Sequence, residues 1–299
     1  MGTPRELKER IDSIGETLKI TNAMYLISST KLRKARKDLE ENEPYFETVQ
    51  HMMDYTMKHL PEGYTHPLLD LRENIPENNT RKAILCITAD KGLAGSYNHN
   101  ILKITEEKLR PDSNDTLFLM GEVGRHYFAN RGIHISGQFH YTIQNPTLSK
   151  ARAITGLLLE RYRNEQIDEL YVVYTNMKNS LEMEPVIKQI LPLNHMDNTN
   201  YFRHAKKKNY EEEILMNPTP DDVIENVIPN YIAGFIYGVM IESFCAEQSA
   251  RMTAMDNANK NGKELLDELK IQYSRMRQGQ ITQEITEVAA GERGTKHHE

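Results

Sequence analysis

Near the start of the chain, residues recur at alternating spacings of four and three: Leu7, Ile11, Ile14, Leu18, Thr21, Tyr25, Ser28, Leu32, Ala35 and Leu39. That period is the seam of a coiled coil. Near the other end Leu265, Leu269, Tyr273 and Met276, then Ile281, Ile285 and Val288, take up a similar spacing. Six large apolar seam residues (Leu7, Ile11, Ile14, Leu18, Leu32 and Leu39) at roughly 1.5 kcal/mol each amount to about 9 kcal/mol forfeited if the stripe faces water. The cover is the other terminal segment, a second copy or a foreign protein, and only the first needs nothing beyond this chain. Antiparallel pairing of the two ends is expected to set Ile14 or Leu18 opposite the neighbourhood of Met276 to Ile285.

Pro4 suits an early helical position and the next proline is Pro44, so the first helix is expected to run from about residue 4 to the high fifties, with Pro44 a candidate kink. Pro61, Gly63, Pro67 and Pro76, with Asn78 and Asn79, mark a linker. Short apolar runs follow at Lys82 to Thr88, Thr116 to Met120 and Glu169 to Tyr174. They are separated by helical patterns around Ile101 to Leu109, Val123 to Asn130 and Leu148 to Arg163. Strands alternating with helices predict a parallel α/β sheet, to which Val186 to Leu193 adds a further candidate strand. The polar stretch from His195 to Asn217, with Lys206-Lys207-Lys208 and Glu211-Glu212-Glu213, reads as a loop or edge hairpin. Asp221 and Asp222 then suit a helix start, and only Pro229 interrupts the pattern to about Ala290. The expected organisation is an N-terminal helix over 1–60, a linker over 61–80, an α/β domain over 81–217, a C-terminal helix over 218–290 and a polar tail over 291–299.

Composition narrows the classes. A net charge of -6 argues against a general nucleic-acid binder, and charged residues at 27% with no tryptophan suit a chain with much surface. The richest apolar run, Ile224 to Phe244, is interrupted by Glu225, Asn226, Pro229, Asn230 and Glu242, which reads as amphipathic rather than as a membrane span. The N-terminus has neither an apolar signal core nor a transit-peptide composition. Cys86 and Cys245 are expected to be small buried hydrophobes in a reducing compartment.

Candidate chemistry is sparse. Asp90-Lys91-Gly92-Leu93-Ala94-Gly95-Ser96-Tyr97-Asn98 occupies the strand-to-helix position of a phosphate loop, but its glycines fit neither G-x-x-x-x-G-K-S/T nor G-x-G-x-x-G. The alternative is a tight turn with glycines at special backbone angles. The basic cluster Lys31-Leu32-Arg33-Lys34-Ala35-Arg36-Lys37 sits on the heptad, so a solvated face or a contact with acidic protein loops is expected before nucleic acid or lipid. His297 and His298 lack partner ligands. No G-x-S-x-G, H-E-x-x-H or C-x-x-C occurs, and no catalytic, cofactor or metal site is assigned.

Three blocks together resemble the gamma subunit of F-type ATP synthases. They are Ile11 to Ala35, with Lys19-Ile-Thr-Asn-Ala-Met24 at its centre; Ile87-Thr-Ala-Asp-Lys-Gly-Leu-Ala-Gly-Ser-Tyr-Asn98; and Glu247 through Ala250-Arg-Met-Thr-Ala-Met255 to Arg277-Gln-Gly-Gln-Ile-Thr-Gln-Glu-Ile-Thr-Glu287. The resemblance implies an antiparallel coiled coil of the two terminal helices with a Rossmann-like α/β domain inserted between them. It implies a non-catalytic rotor, one copy per complex, on the cytoplasmic face of the bacterial membrane. Its implied partners are the alpha and beta subunits, the epsilon subunit and the c-ring, with proton flow through the ring turning the shaft. By the same resemblance Arg277, Gln278 and Thr282 engage acidic loops of the beta subunits, and Met24, Arg251, Glu284 and Thr286 match the region where both helices and the beta subunits meet. Gly279 departs from the family's common alanine, Ala94 from its frequent cysteine, and the tail from Gly291 to Glu299 is more polar than usual. A stand-alone nucleotide-binding α/β protein with a coiled-coil dimerisation arm is the main rival, and a cytoskeletal or DNA-associated adaptor the second.

Overall fold

The computed structural model describes residues 3–72, 75–76, 79–110, 114–129, 131–136, 139–178, 182–193 and 219–295, with side chains up to 288. The expected polar loop up to Asn217, with its lysine and glutamate triplets, and the His297-His298 pair lie outside them. The elements run α1 (Pro4–Lys58), β1 (Lys82–Ile87), α2 (Tyr97–Lys108), β2 (Thr116–Met120), α3 (Glu122–Phe128), α4 (Leu148–Arg163), β3 (Glu169–Met177), β4 (Met183–Leu191) and α5 (Pro220–Thr295). Both long helices open on the same grammar. Thr3 Oγ1 accepts from the Glu6 N–H while the Thr3 N–H donates to Glu6 Oε2, a reciprocal capping box ahead of Pro4. At α5, Thr219 Oγ1 accepts from the Asp222 N–H ahead of Pro220. α1 continues through Pro44 without interruption.

The contacts divide the chain into two compact units, one of residues 29–251 and one of residues 1–28 with 252–299. In the larger unit the sheet order is β2-β1-β3-β4. β1 pairs parallel with β2 and with β3, while β4 pairs antiparallel with β3. The all-parallel expectation therefore fails at the edge, and the sheet is mixed. The reason is the connection: a link of residues 178–182 is hairpin length, whereas a parallel neighbour requires a crossover of a dozen residues or more. β1 and β2 are buried along their whole length, as sandwiched parallel strands are.

Within the same unit α5 is apolar almost all round from Ile224 to Ala246. A helix with that pattern is a core element. By length and composition it is apolar enough to cross a membrane, but 78% of the qualifying window is buried inside the protein. Gly234 lets α1 come close: an added methyl would sit 2.8 Å from Phe46 Cδ1, and Phe46 also packs on Tyr237 with ring centroids 5.4 Å apart.

The segment expected as a linker is built into this unit. Leu68 is fully buried. Arg72 donates to Asp168 Oδ1 at 2.6 Å, to the Ile167 carbonyl and to the Tyr162 carbonyl, and its guanidinium lies 4.2 Å from the centre of the Tyr162 ring. Arg81 adds two side-chain bonds to the same carboxylate. Burial alone would raise the Asp168 carboxyl, yet the hydrogen bonds from Arg81 and Arg72 outweigh it and bring it down to about 2.

In the smaller unit the first seam residues on α1 are shielded where the spacing placed them, at Leu7, Ile11, Ile14, Leu18, Thr21, Tyr25 and Ser28. On α5 the shielded positions include Met252, Met255, Asn259, Gly262, Leu266, Leu269, Tyr273 and Met276. The expected seam residue Leu265 is instead exposed, its place taken by Leu266. Ile281, Ile285 and Val288 are exposed too. Two contacts fix the register. A methyl added at Gly262 would lie 2.7 Å from Leu18 Cδ2, and Thr21 Oγ1 donates to Asn259 Oδ1 at 2.5 Å. Three residues forward on α1 is three residues back on α5, so the two segments run antiparallel there. This corrects the expected pairing of Ile14 or Leu18 with Met276 to Ile285. The apolar residues near 280 invited that register, but small Gly262 is what admits Leu18.

Candidate functional site

The β1–α2 loop is held from three sides within the larger unit. Its backbone turns at Leu93 (φ 62°) and Gly95 (φ 56°). A non-glycine residue in the left-handed region is uncommon, and here its apolar side chain is 65% exposed. Asn98 Oδ1 accepts from the Ala89 N–H. The Arg251 guanidinium, on α5, donates to the carbonyls of Lys91 and Gly92 at 3.1 and 3.2 Å and to Glu247 Oε1 at 2.6 Å. Arg251 and Glu247 are both buried. Within its own chain the Arg251 side chain thus clamps the loop.

The crevice at the carboxyl ends of β1 and β3, where strand order reverses, is the usual ligand position of such a sheet. Here α5 occupies it. Ser243 Oγ accepts from the Thr175 N–H, and Glu242 Oε1 accepts from the Met177 N–H. Ala246 and Ala250 pack with Ala89, Ala94 and Tyr97. The buried carboxylates there, Asp90 and Glu247, have the wrong sign for a phosphate, and Arg251 is engaged by Glu247 and the loop carbonyls. On the floor Gly121 (φ 90°) approaches Thr88 so closely that a methyl there would meet the Thr88 carbonyl oxygen at 2.2 Å. The glycine-bearing loop is therefore a tight turn against a helix, the alternative to a phosphate cradle.

In the smaller unit, the register set by Leu18–Gly262 and Thr21–Asn259 reaches Met276 opposite Pro4, where α1 begins. α5 continues to Thr295. Every residue from 277 to 288 is exposed. Five of the residues implied by the resemblance, Arg277, Gln278, Thr282, Glu284 and Thr286, lie on this stretch. The Thr282 and Thr286 hydroxyls donate back to the carbonyls of Gln278 and Thr282, which serves the helix but leaves their apolar faces outward. The side chains of Arg277, Gln278 and Glu284 make no hydrogen bond or ion pair among the described residues. At about 100° per residue, Arg277 and Thr286 point to opposite sides of the helix, about 180° apart, with Ile281 and Ile285 between them. A surface decorated around half its circumference fits an encircling partner better than a flat one.

Met24 is half-buried on α1, and the register places it beside Asp256. Glu284 lies 28 residues further along α5, about 40 Å away. Within the smaller unit the structure therefore brings Arg277, Gln278, Thr282, Glu284 and Thr286 together and leaves Met24 apart from them, while Arg251 belongs to the larger unit. Asp90 and Glu247 were not singled out by sequence reasoning as acids of one site. Their only signal was membership of the second and third motif blocks, and nothing in the spacing says that residues more than 150 apart in sequence become electrostatic neighbours.

The comparisons agree with one another. A family model described as ATP synthase matches residues 3–293. The ATP synthase gamma chain of Ruminiclostridium cellulolyticum is 40% identical over 96% of this chain and 97% of its own. The gamma chain of Acetobacterium woodii, described as sodium ion specific, is 35% identical over 96% and 97%. Among solved structures, a chain of the Euglena gracilis mitochondrial ATP synthase (OSCP, F1 and c-ring) matches with a TM-score of 0.66 at 16% identity, over 96% of this chain and 92% of that one, a likeness of fold. The family match and the near full-length identity place this chain in the ATP synthase gamma-chain family.

Proposed function

We propose that this chain is the central-stalk rotor subunit of a proton-translocating F-type ATP synthase. The observation that carries this reading is the end of α5: twelve residues, 277 to 288, wholly exposed beyond the reach of α1 and bearing Ile281, Ile285 and Val288 among polar groups whose intrachain hydrogen bonds stay within the helix itself. An apolar stripe of that kind is tolerated where a partner covers it. In this reading the terminal helices form an antiparallel coiled coil standing within the alpha/beta hexamer, and the Rossmann-like α/β domain is mounted at the c-ring with the epsilon subunit. Arg277, Gln278 and Thr282 face acidic loops of the beta subunits, where a guanidinium makes charge-assisted bonds to carboxylates. Glu284 and Thr286 extend that contact. Met24 and Arg251 belong to the region where both helices and the beta subunits meet, and Arg251 also holds the β1–α2 loop. Turning the shaft presents different faces to the three catalytic sites in sequence and shifts each between affinities.

Catalysis then belongs to the partner subunits, and the complex is peripheral to the cytoplasmic face of the membrane. Native purification tests this. The chain should co-purify as one copy in an ATP-hydrolysing assembly several times its mass, detached from membranes without cutting a transmembrane segment of its own. A free homodimer, or a lone chain that binds ATP or NAD by calorimetry, would sink the proposal.

A further inference from the structure

The buried polar cluster behind the β1–α2 loop holds more acid than Arg251 satisfies. Asp90 Oδ1, Asp90 Oδ2 and Glu247 Oε2 are buried and meet no hydrogen-bond donor among the described residues. Glu247 Oε1 is the exception, bonded to Arg251 Nη1 at 2.6 Å. Arg251 is therefore shared between an acid on its own helix and two carbonyls, Lys91 and Gly92, of the loop. The groups facing Glu247 are Arg251 from α5, Asp90 from the loop, Lys31 from α1 and the buried Tyr97 hydroxyl from α2. Burial pushes the Glu247 carboxyl up; Arg251 and Lys31 oppose this, Asp90 adds to it, and the balance stays above the ordinary glutamate value. Buried carboxylate oxygens without donors are costly, and a proton relieves that cost.

We propose that Glu247 is a positioning residue whose protonation sets the hold on the β1–α2 loop. Ionised, it fixes the Arg251 guanidinium against the Lys91 and Gly92 carbonyls. When it takes up a proton from solvent, it loses its charge-assisted bond to Arg251, and the new O–H serves one of the donor-less acid oxygens. The loop then loosens, and with it the exposed Leu93 tip, whose left-handed backbone needs an external restraint to persist. This goes beyond the rotor reading and does not rest on it, because the test uses the free full-length chain.

The chain has no tryptophan, so Leu93→Trp at the exposed tip supplies a fluorophore that reports the loop alone. Its anisotropy is followed against pH, with far-UV circular dichroism confirming the fold at each point. A single-proton fall is expected as the pH drops through a midpoint above the ordinary glutamate value. In the same background Glu247→Gln should hold the low anisotropy at every pH. Asp90→Asn, which removes the like charge, should lower the midpoint by about one pH unit, a tenfold rise in the proton concentration required. A flat profile in the parent, a step that survives Glu247→Gln, or a midpoint unmoved by Asp90→Asn overturns the proposal. Should Glu247→Gln fail to fold, the Asp90→Asn midpoint decides alone.

Discussion

A disulfide between Leu18→Cys and Gly262→Cys tests the register on which the reading of the α5 tip depends. Leu18 and Gly262 are in van der Waals contact, with the Leu18 Cγ 3.4 Å from where a Gly262 Cβ would stand. A disulfide bridges Cα atoms roughly 4.4–6.8 Å apart, a range that this close packing across the seam is expected to meet. Moving the second cysteine to Met276 adds fourteen residues, about 21 Å along the helix, far beyond that range. The bridged loop would enclose more than two hundred residues, for which the chain-entropy treatment gives an upper bound of about 5.5 kcal/mol of stabilisation. Native Cys86 and Cys245 are both buried and so do not compete. On a non-reducing denaturing gel the Leu18→Cys/Gly262→Cys chain should run as a compact monomer, and its thermal midpoint should fall on adding reductant. The Leu18→Cys/Met276→Cys chain should show neither effect. Efficient bridging of the second pair, or dimer bands from Leu18→Cys alone, would refute the antiparallel intrachain register.

Arg277→Glu, or Gln278→Ala, should lower ATP-driven proton pumping in reconstituted complexes more than it disturbs hexamer assembly, by about tenfold or more for the charge reversal; unchanged hydrolysis and pumping would remove both residues from the contact. Met24→Lys puts a cation at a half-buried position and should reduce protons pumped per ATP more than it reduces hydrolysis; a constant ratio would make Met24 a seam neighbour only. Asp168, held at about 2 by Arg81 and Arg72, should contribute roughly 2 kcal/mol above the ordinary carboxylate range, lost as the pH falls through 3.8 toward 2. Denaturant titrations of Asp168→Asn against the parent should therefore converge at low pH, and a difference that stays constant would place the effect elsewhere.

The α1 seam was legible because a heptad is a local pattern: each member is fixed by its distance from the last, and shielding follows it from Leu7 to Ser28. The matching seam on α5 was half legible. Leu269, Tyr273 and Met276 keep the period, but Met252, Asn259 and Gly262 carry no apolar signal as a group, so the eye is drawn to Leu265 and to the stripe beyond. Strands β1 and β2 read cleanly as buried apolar runs, whereas the direction of β4 depended on connection length. The acids behind the β1–α2 loop stayed hidden for a different reason. Asp90 and Glu247 meet only because α5 crosses the ends of the strands, a tertiary fact with no period in the chain. The tip of α5 was named by resemblance, and its solitude follows from subtraction along the register.

That solitude has a cost during the life of the polypeptide before assembly. A helical stretch such as 277–288, exposed at every residue, gains little from tertiary packing, and isolated helical ends fray. Gly279 sits among those turns with open space around it, lowering helical propensity by about 1 kcal/mol where no neighbour compensates. In a newly made subunit the stretch from 277 to 288 is thus open to nicking by proteases and to chance association through Ile281, Ile285 and Val288. Capture by its assembly is also its protection, and the half-life of the orphan chain should be set by how fast that end is covered.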